Sequence, residues 1–301
     1  MLPARANILR SIPAPSFARD FAATKALNNG IGPAISFSRG SNATYFDGTG
    51  TLQYAPNNLV RNGNATGSTT GIIGSGGALP TNWSRAATTG INQQIVGTGT
   101  ANGMAYIDIR ISGTNTSGGT GFPLIAFEAT TGIAAISGLS YLASVWMEVV
   151  AGSWTGFSLY RLTLQELTSG GASNGGSATS ALGTAFTRYS IARTVSNATS
   201  VYVRPYFDFS IANAASVDVT MRIYGGQVEL TTSSTPSDYF PTTGSAAYYG
   251  PRFDHDPVTL TSKGLLIEEA RSNLNTYSGQ MQNWTQNRLT LTANATGSPD
   301  G

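Results

Sequence analysis

The chain has 301 residues, of which only 11% are charged, with 36 glycines, one histidine, no cysteine and a formal net charge of +2. So neutral a balance excludes the clustered cations of a nucleic-acid binder, and the absence of cysteine excludes disulfide frameworks and thiolate metal sites. Ordinary domains are about one quarter charged, so solubility here rests on Ser, Thr, Asn and Gln, the composition of all-β proteins with Gly/Asn/Ser turns.

In the opening "MLPARANILRSIPAPSFARD", Arg5, Arg10 and Arg19 stand where a secretory signal needs an uninterrupted apolar stretch. No run approaches the roughly 20 apolar residues of a membrane helix. The expectation is a chain made in the cytoplasm, with no membrane insertion. "SFARDFAATKALNNG" then places Phe17, Phe21 and Leu27 near helical spacing and Gly30 where a helix stops. Residues 1–32 therefore read as an arm with one short helix, which is marginal unless it packs on something.

From residue 34 the period changes to two. "AISFSRGSNATYFDGTGTLQYAP" reads as a hairpin turning at Asp47-Gly48. Strands separated by Gly, Ser, Thr and Asn fill 58–244. In "YLASVWMEVV", Tyr141, Ala143, Val145, Met147 and Val149 share one face, and Leu142, Ser144, Trp146 and Glu148 the other. In "VYVRPYFDF", Val201, Val203, Phe207 and Phe209 oppose Tyr202, Arg204, Tyr206 and Asp208. In "VDVTMRIY", Val217, Val219, Met221 and Ile223 point inward and Asp218, Thr220, Arg222 and Tyr224 outward. Strands with one apolar face each predict a β-sandwich.

Pairing the last two strands directly would set Arg204 against Arg222 and Asp208 against Asp218, which is unfavourable. Either the register is shifted or the two lie in opposite sheets, as in a jelly roll. "TSGGASNGGSATSALGT", 168–184, is too polar and glycine-rich for a strand and reads as a mobile loop.

"PRFDHDPVTLTSKGLLIEEARSNL" carries His255, the only histidine, between Asp254 and Asp256. Alternation along a strand turns His255 away from both neighbours, a poor geometry for three metal ligands. Leu265 and Ile267 on one side with Leu266 and Glu268 on the other suit a buried strand ending in a charged pair. Further on, "SNLNTYSGQMQNWTQN" repeats features of "NNLVRNGNATG" and "LPTNWS": Asn-Leu, then Asn82-Trp83-Ser84 matched by Asn283-Trp284-Thr285. Residues 275–301 thus read as the start of a second, incomplete jelly roll.

Three segments resemble modular phage tail-fibre and head-fibre virion proteins with lectin-like jelly rolls. They are "FSRGSNATYFDGTGTL", the "PRFDHDPVTL … GLLIEEARSNL" segment, and "GGQVELTTSSTPSDYFPTTG". The resemblance covers most of 33–301 but not the arm. It implies an all-β fold, a jelly-roll β-sandwich at 58–244 inserted in a small discontinuous β module of 33–57 plus 245–274, preceded by the arm. It also implies a homo-oligomer, a trimer, that joins other virion proteins of portal, neck, capsid or tail. The arm supplies the candidate docking residues Arg5, Arg10, Phe17, Arg19 and Phe21.

Host polysaccharide is the second partner expected. Aromatic faces stack on sugar rings while planar polar groups hydrogen-bond the hydroxyls, which makes Trp146, Tyr202, Arg204, Tyr206 and Arg222 the candidate glycan-binding residues. The alternative is a carbohydrate-binding module of a bacterial or viral polysaccharide-active protein. An enzyme is not expected. Glu128, Glu148, Glu166, Asp208, Asp218 and Glu229 are scattered over different elements, and no catalytic motif is present. The same reading expects no cofactor and no metal.

Overall fold

Period-two alternation is borne out in the long strands, and the chain is all-β. A computed structural model describes residues 15–267. One helical turn, α1 (Phe21–Thr24), precedes β1 (Thr44–Phe46), β2 (Leu52–Tyr54) and β3 (Asn57–Asn58). Then come β4 (Gly71–Ile73), β5 (Gly76–Gly77), β6 (Ser84–Ala86), β7 (Ile91–Ala101), β8 (Met104–Thr114), β9 (Leu124–Ala126) and β10 (Ile133–Ala134). The long strands β11 (Ser140–Ser153) and β12 (Phe157–Leu167) are followed by β13 (Ser173–Ala178), β14 (Thr187–Thr194), β15 (Tyr202–Ile211) and β16 (Ser216–Leu230). Last are β17 (Tyr248–Tyr249), β18 (Phe253–His255) and β19 (Ser262–Leu265).

The larger sheet has seven strands in the order β14-β11-β16-β8-β7-β4-β5; the smaller has six, β13-β12-β15-β9-β6 with β10 also on β15. Between them lies the core. Ile107, Ile109, Ile111, Ala143, Val145, Met147, Val219, Met221 and Ile223 of the larger sheet meet Ile125, Leu162, Leu164, Val203, Phe207 and Phe209 of the smaller, all nearly or fully buried. Trp83, Phe127 and Phe207 continue it as edge-to-face pairs with centroids 5.0 and 5.1 Å apart.

β15 and β16, consecutive in the chain, lie in opposite sheets, so the like charges never meet. Three of the four charges instead find an opposite on a neighbouring strand. Arg161 sits directly across from Asp208 and Arg222 directly across from Asp108, while Arg110 reaches Asp218 diagonally. Val201, expected inward, is exposed because it precedes the start of β15.

Two further expectations are corrected. Residues 168–184 contain β13, which pairs antiparallel with β12 from Thr163↔Ala178 to Leu167↔Ser173. Glycine and serine suffice because an edge strand needs one partner and packs no core side chain. The helix expected to run toward Gly30 is a single turn: Asp20 caps it by accepting from the Ala23 amide at 2.9 Å, and Lys25 ends it in the left-handed conformation at φ 51°.

Residues 33–57 and 245–267 meet beside the sandwich. β1 pairs β2, β3 pairs β17, and β18 pairs β19. Asp254 accepts from the Phe46 amide at 2.8 Å, His255 Nδ1 lies 3.2 Å from the Phe46 carbonyl, and an Arg252 Nη1–H reaches the Thr44 carbonyl. The hairpin loop is longer than a two-residue turn: the Asp47 carboxylate gathers Thr49 N at 2.8 Å and Thr51 N at 3.0 Å, and Gly50 supplies the positive φ of 78°. α1 rests on β19, where Gly264 at φ 85° leaves Phe21 and the Ala22 amide room to approach. β19 ends at Leu265 and Ile267 is 79% exposed, so "GLLI" is not a buried strand; it follows the edge of a two-stranded sheet. Glu268 and the repeat at 275–301 lie outside the described residues.

Candidate functional site

The outward side chains of β12 and β15 form one ladder on the smaller sheet. Arg161, Thr163 and Gln165 alternate with the buried Leu162 and Leu164 and stand opposite Asp208, Tyr206 and Arg204. β13 rises beside them. Its Ser173, Gly175, Gly176, Ser177 and Ala178, with Arg161, Thr163, Gln165 and Tyr206, enclose an open cleft of about 380 Å³. Because that wall is nearly bare backbone, a ligand can reach peptide N–H and C=O groups on the β13 side and side chains on the other.

Polar groups are fixed in orientation along the floor. Arg161 grips Asp208 through Nε at 3.1 Å and Nη2 at 2.9 Å. Gln165 donates to Ser173 Oγ at 2.9 Å and accepts from Arg204 Nη2 at 3.0 Å, while Arg204 Nη1 reaches Thr130 Oγ1 at 3.1 Å. The Arg204 guanidinium lies 5.3 Å from the centroid of the Tyr206 ring. Burial, and next the Asp208 charge, push the Tyr206 phenol above its ordinary value, so it stays a neutral donor. The Thr163 hydroxyl, on a residue only 5% exposed, meets that phenol from the facing strand.

Of the five candidates named from sequence, Tyr206 lines this cleft, Arg204 stands next to it bonded to Gln165, and Tyr202 lies further back on the same strand, half-buried. Trp146 and Arg222 lie on the other sheet's outer face, so the structure does not bring the five together. There a row runs straight across the strands: Arg188, Trp146, Tyr224, Tyr106 and Gly99. The ring faces are already occupied. The Arg188 guanidinium lies 4.1 Å above Trp146 and that of Arg222 3.9 Å from Tyr106, whose ring spreads over Gly99 where a Cβ would fall 2.7 Å from its hydroxyl. Arg222 also holds Asp108 through two bonds of 2.8 and 2.9 Å, which raise its pKa further. Burial, then the hydrogen bond to Glu148, push Tyr224 up to about 12. Trp146, Tyr239, Met104, Ala105, Asn64 and Pro241 bound a second hollow of about 500 Å³.

Arg161, Thr163, Gln165 and the β13 wall were missed from sequence. Their signal was the alternation of "YRLTLQEL", which gives the faces but not the neighbouring strand.

The six acidic residues named from sequence are all engaged. Glu128 accepts from Arg61, Glu166 from Arg193, Asp208 from Arg161 and Asp218 from Arg110, while Glu148 accepts from Tyr224 and Glu229 from Ser237. Among the described residues no group of three or more His, Cys, Asp or Glu side chains is arranged to hold a metal.

Of the arm's docking candidates, Phe17 is half-exposed, and Arg19 donates to the carbonyls of Gly30, Gly32 and Pro33 at 2.9–3.0 Å. Phe21 packs by Gly264. Arg5 and Arg10 lie outside the described residues.

No family model matches the chain, and no curated protein matches it. Solved structures do. The enzymatically active domain of tailspike protein 4 from bacteriophage CBA120 aligns with 50% of this chain at 14% identity and a TM-score of 0.34. The match spans 19% of that tailspike chain. A family 16 carbohydrate-binding module aligns with 57% of this chain and 99% of its own, at 12% identity and a TM-score of 0.33. The CBM22-1 xylan-binding domain of Paenibacillus barcinonensis Xyn10C aligns with 65% of this chain and 100% of its own, at 9% identity and a TM-score of 0.30.

Proposed function

We propose that this protein is a non-catalytic, glycan-binding component of a phage fibre or spike, carried on the virion and binding a bacterial surface polysaccharide along the cleft between β13 and the β12–β15 ladder. The observation that carries the binding reading is the cleft itself: oriented planar groups, a phenol, a threonine hydroxyl and a wall of exposed backbone line one open trough. Sugar hydroxyls present paired donors and acceptors to such a surface, and an open trough admits a polymer from either end. The engaged carboxylates support a non-catalytic role, because a glycosidase needs two acids converging on the scissile bond.

The virion assignment rests on the three resembling segments of sequence. In that setting the arm docks with other virion proteins and the chains associate, as trimers in the fibre pattern. Light scattering of the complete protein checks the association, and a monomer would count against the fibre assignment.

The binding reading is tested on an array of bacterial surface polysaccharides with wild type and with Ala178→Trp, which fills the trough from the edge strand. Binding by wild type that is lost in Ala178→Trp, with an unchanged melting temperature, is expected. A wild type that binds nothing on the array, or an Ala178→Trp variant that binds as well as wild type, would sink the assignment to this cleft.

A further inference from the structure

We propose that the polysaccharide recognised at this cleft is acidic, and that Arg204 receives a sugar carboxylate. This inference rests on the glycan-binding reading and names the class of sugar.

It comes from a charge inventory. Arg110 and Arg222 on the larger sheet are each held by a carboxylate through two bonds, Arg61 and Arg193 reach Glu128 and Glu166, and Arg161 beside the cleft reaches Asp208. Arg204 differs. Among the described residues no carboxylate pairs with it; its acceptors are the neutral Thr130 hydroxyl and Gln165 amide oxygen. Its Nε–H is buried with no acceptor at all. A half-buried guanidinium with only neutral acceptors is an uncompensated cation, and its desolvation lowers its pKa. Asp208, four residues along β15, does not relieve it: it is held by Arg161 across the ladder.

The placement suits a ligand. Nη1 and Nη2 each keep one N–H beyond the bonds to Thr130 and Gln165, and those bonds hold the guanidinium plane fixed. A carboxylate meeting the two remaining N–H groups forms charge-assisted bonds without ordering a flexible side chain first. The sugar bearing it would lie beside Gln165, with its ring toward Thr163 and Tyr206. Uronic and sialic acids have this chemistry, and neutral hexans do not.

The test measures binding of polygalacturonate, alginate, hyaluronan and colominic acid, each in native form and after carboxyl reduction to the neutral polymer. At least one native polymer is expected to bind about tenfold or more tighter than its reduced form, with affinity falling as salt rises. Arg204→Gln should remove that difference and leave the weak affinity for the reduced polymer, while Arg204→Lys keeps part of it. Equal binding of native and reduced polymers would overturn the acidic-sugar inference and leave the glycan-binding reading standing. Failure to bind any polymer, charged or neutral, would overturn both. The comparison of native with reduced polymer uses the wild-type protein, so it holds even where a variant folds poorly.

Discussion

Arg193 of β14 donates to Glu166 of β12 at 2.6 Å, so one ion pair joins an edge strand of the larger sheet to the smaller sheet. The carboxylate is fully buried and also accepts from the Ser196 and Asn197 amides and the Ser200 hydroxyl. Burial pushes the Glu166 carboxyl up, and these donors together outweigh it, leaving it below its ordinary value. Glu166→Ala strands the guanidinium and the amides together and should cost about 3–5 kcal/mol. Denaturant unfolding checks this, and a loss under 1 kcal/mol would mean that the pair is not a tie between the sheets.

Asn58 is fully buried where the small strands join the sandwich. Its amide donates to the Gly226 and Phe240 carbonyls, and its oxygen accepts from the Val60 and Val228 amides. Asn58→Ala leaves all four without their partner and should destabilise by about 3 kcal/mol or more. Chemical denaturation is the measurement; a nearly neutral variant would show that solvent replaces the amide there.

The Thr163 hydroxyl meets the Tyr206 phenol on the floor of the cleft. Thr163→Val removes that partner at similar side-chain size, so the fold should lose about 1 kcal/mol and polysaccharide affinity should fall with it. Thermal melting and binding to the arrayed polysaccharides check this; a variant that binds as tightly as wild type would show that the hydroxyl takes no part in recognition.

The Thr49 hydroxyl, then the Thr51 and Thr49 amides, hold the Asp47 carboxyl down at about 2; the Thr259 and Val258 amides and Lys263 do the same for Asp256. Both pKa values are depressed below an unfolded value of about 3.9. Their contribution is therefore complete above about pH 4 and is lost as the pH falls through about 2. Amide exchange at Thr49, Thr51, Val258 and Thr259 should accelerate across that window, and Asp47→Asn should remove the dependence at Thr49 and Thr51. Exchange there that is flat from pH 4 to 2 would refute the assignment.

Strand faces were legible in the sequence wherever a buried aliphatic alternated with a polar residue, as in β11 and β16, because period two follows directly from the pleat. The clash of like charges between β15 and β16 even narrowed the topology to two choices. What alternation cannot say is which strand lies next door. Arg222 finds Asp108 on a distant strand, and the two halves of the candidate sugar-binding set fall on opposite outer faces for the same reason. β13 was illegible because its pairing is backbone to backbone, with no side-chain preference to announce it. The helix failed differently: nothing in the sequence marked Lys25 as the residue that turns left-handed and ends it after one turn.

The glycine-and-serine strand β13 has one further consequence. It borders the trough, yet it lies at the rim and contributes no side chain to the Ile, Leu and Phe packing between the sheets. Substitutions at Ser173 or Ala178 can therefore reshape what the trough accepts while folding proceeds unchanged. Those few positions are where the outline of the trough can change at no cost to the core.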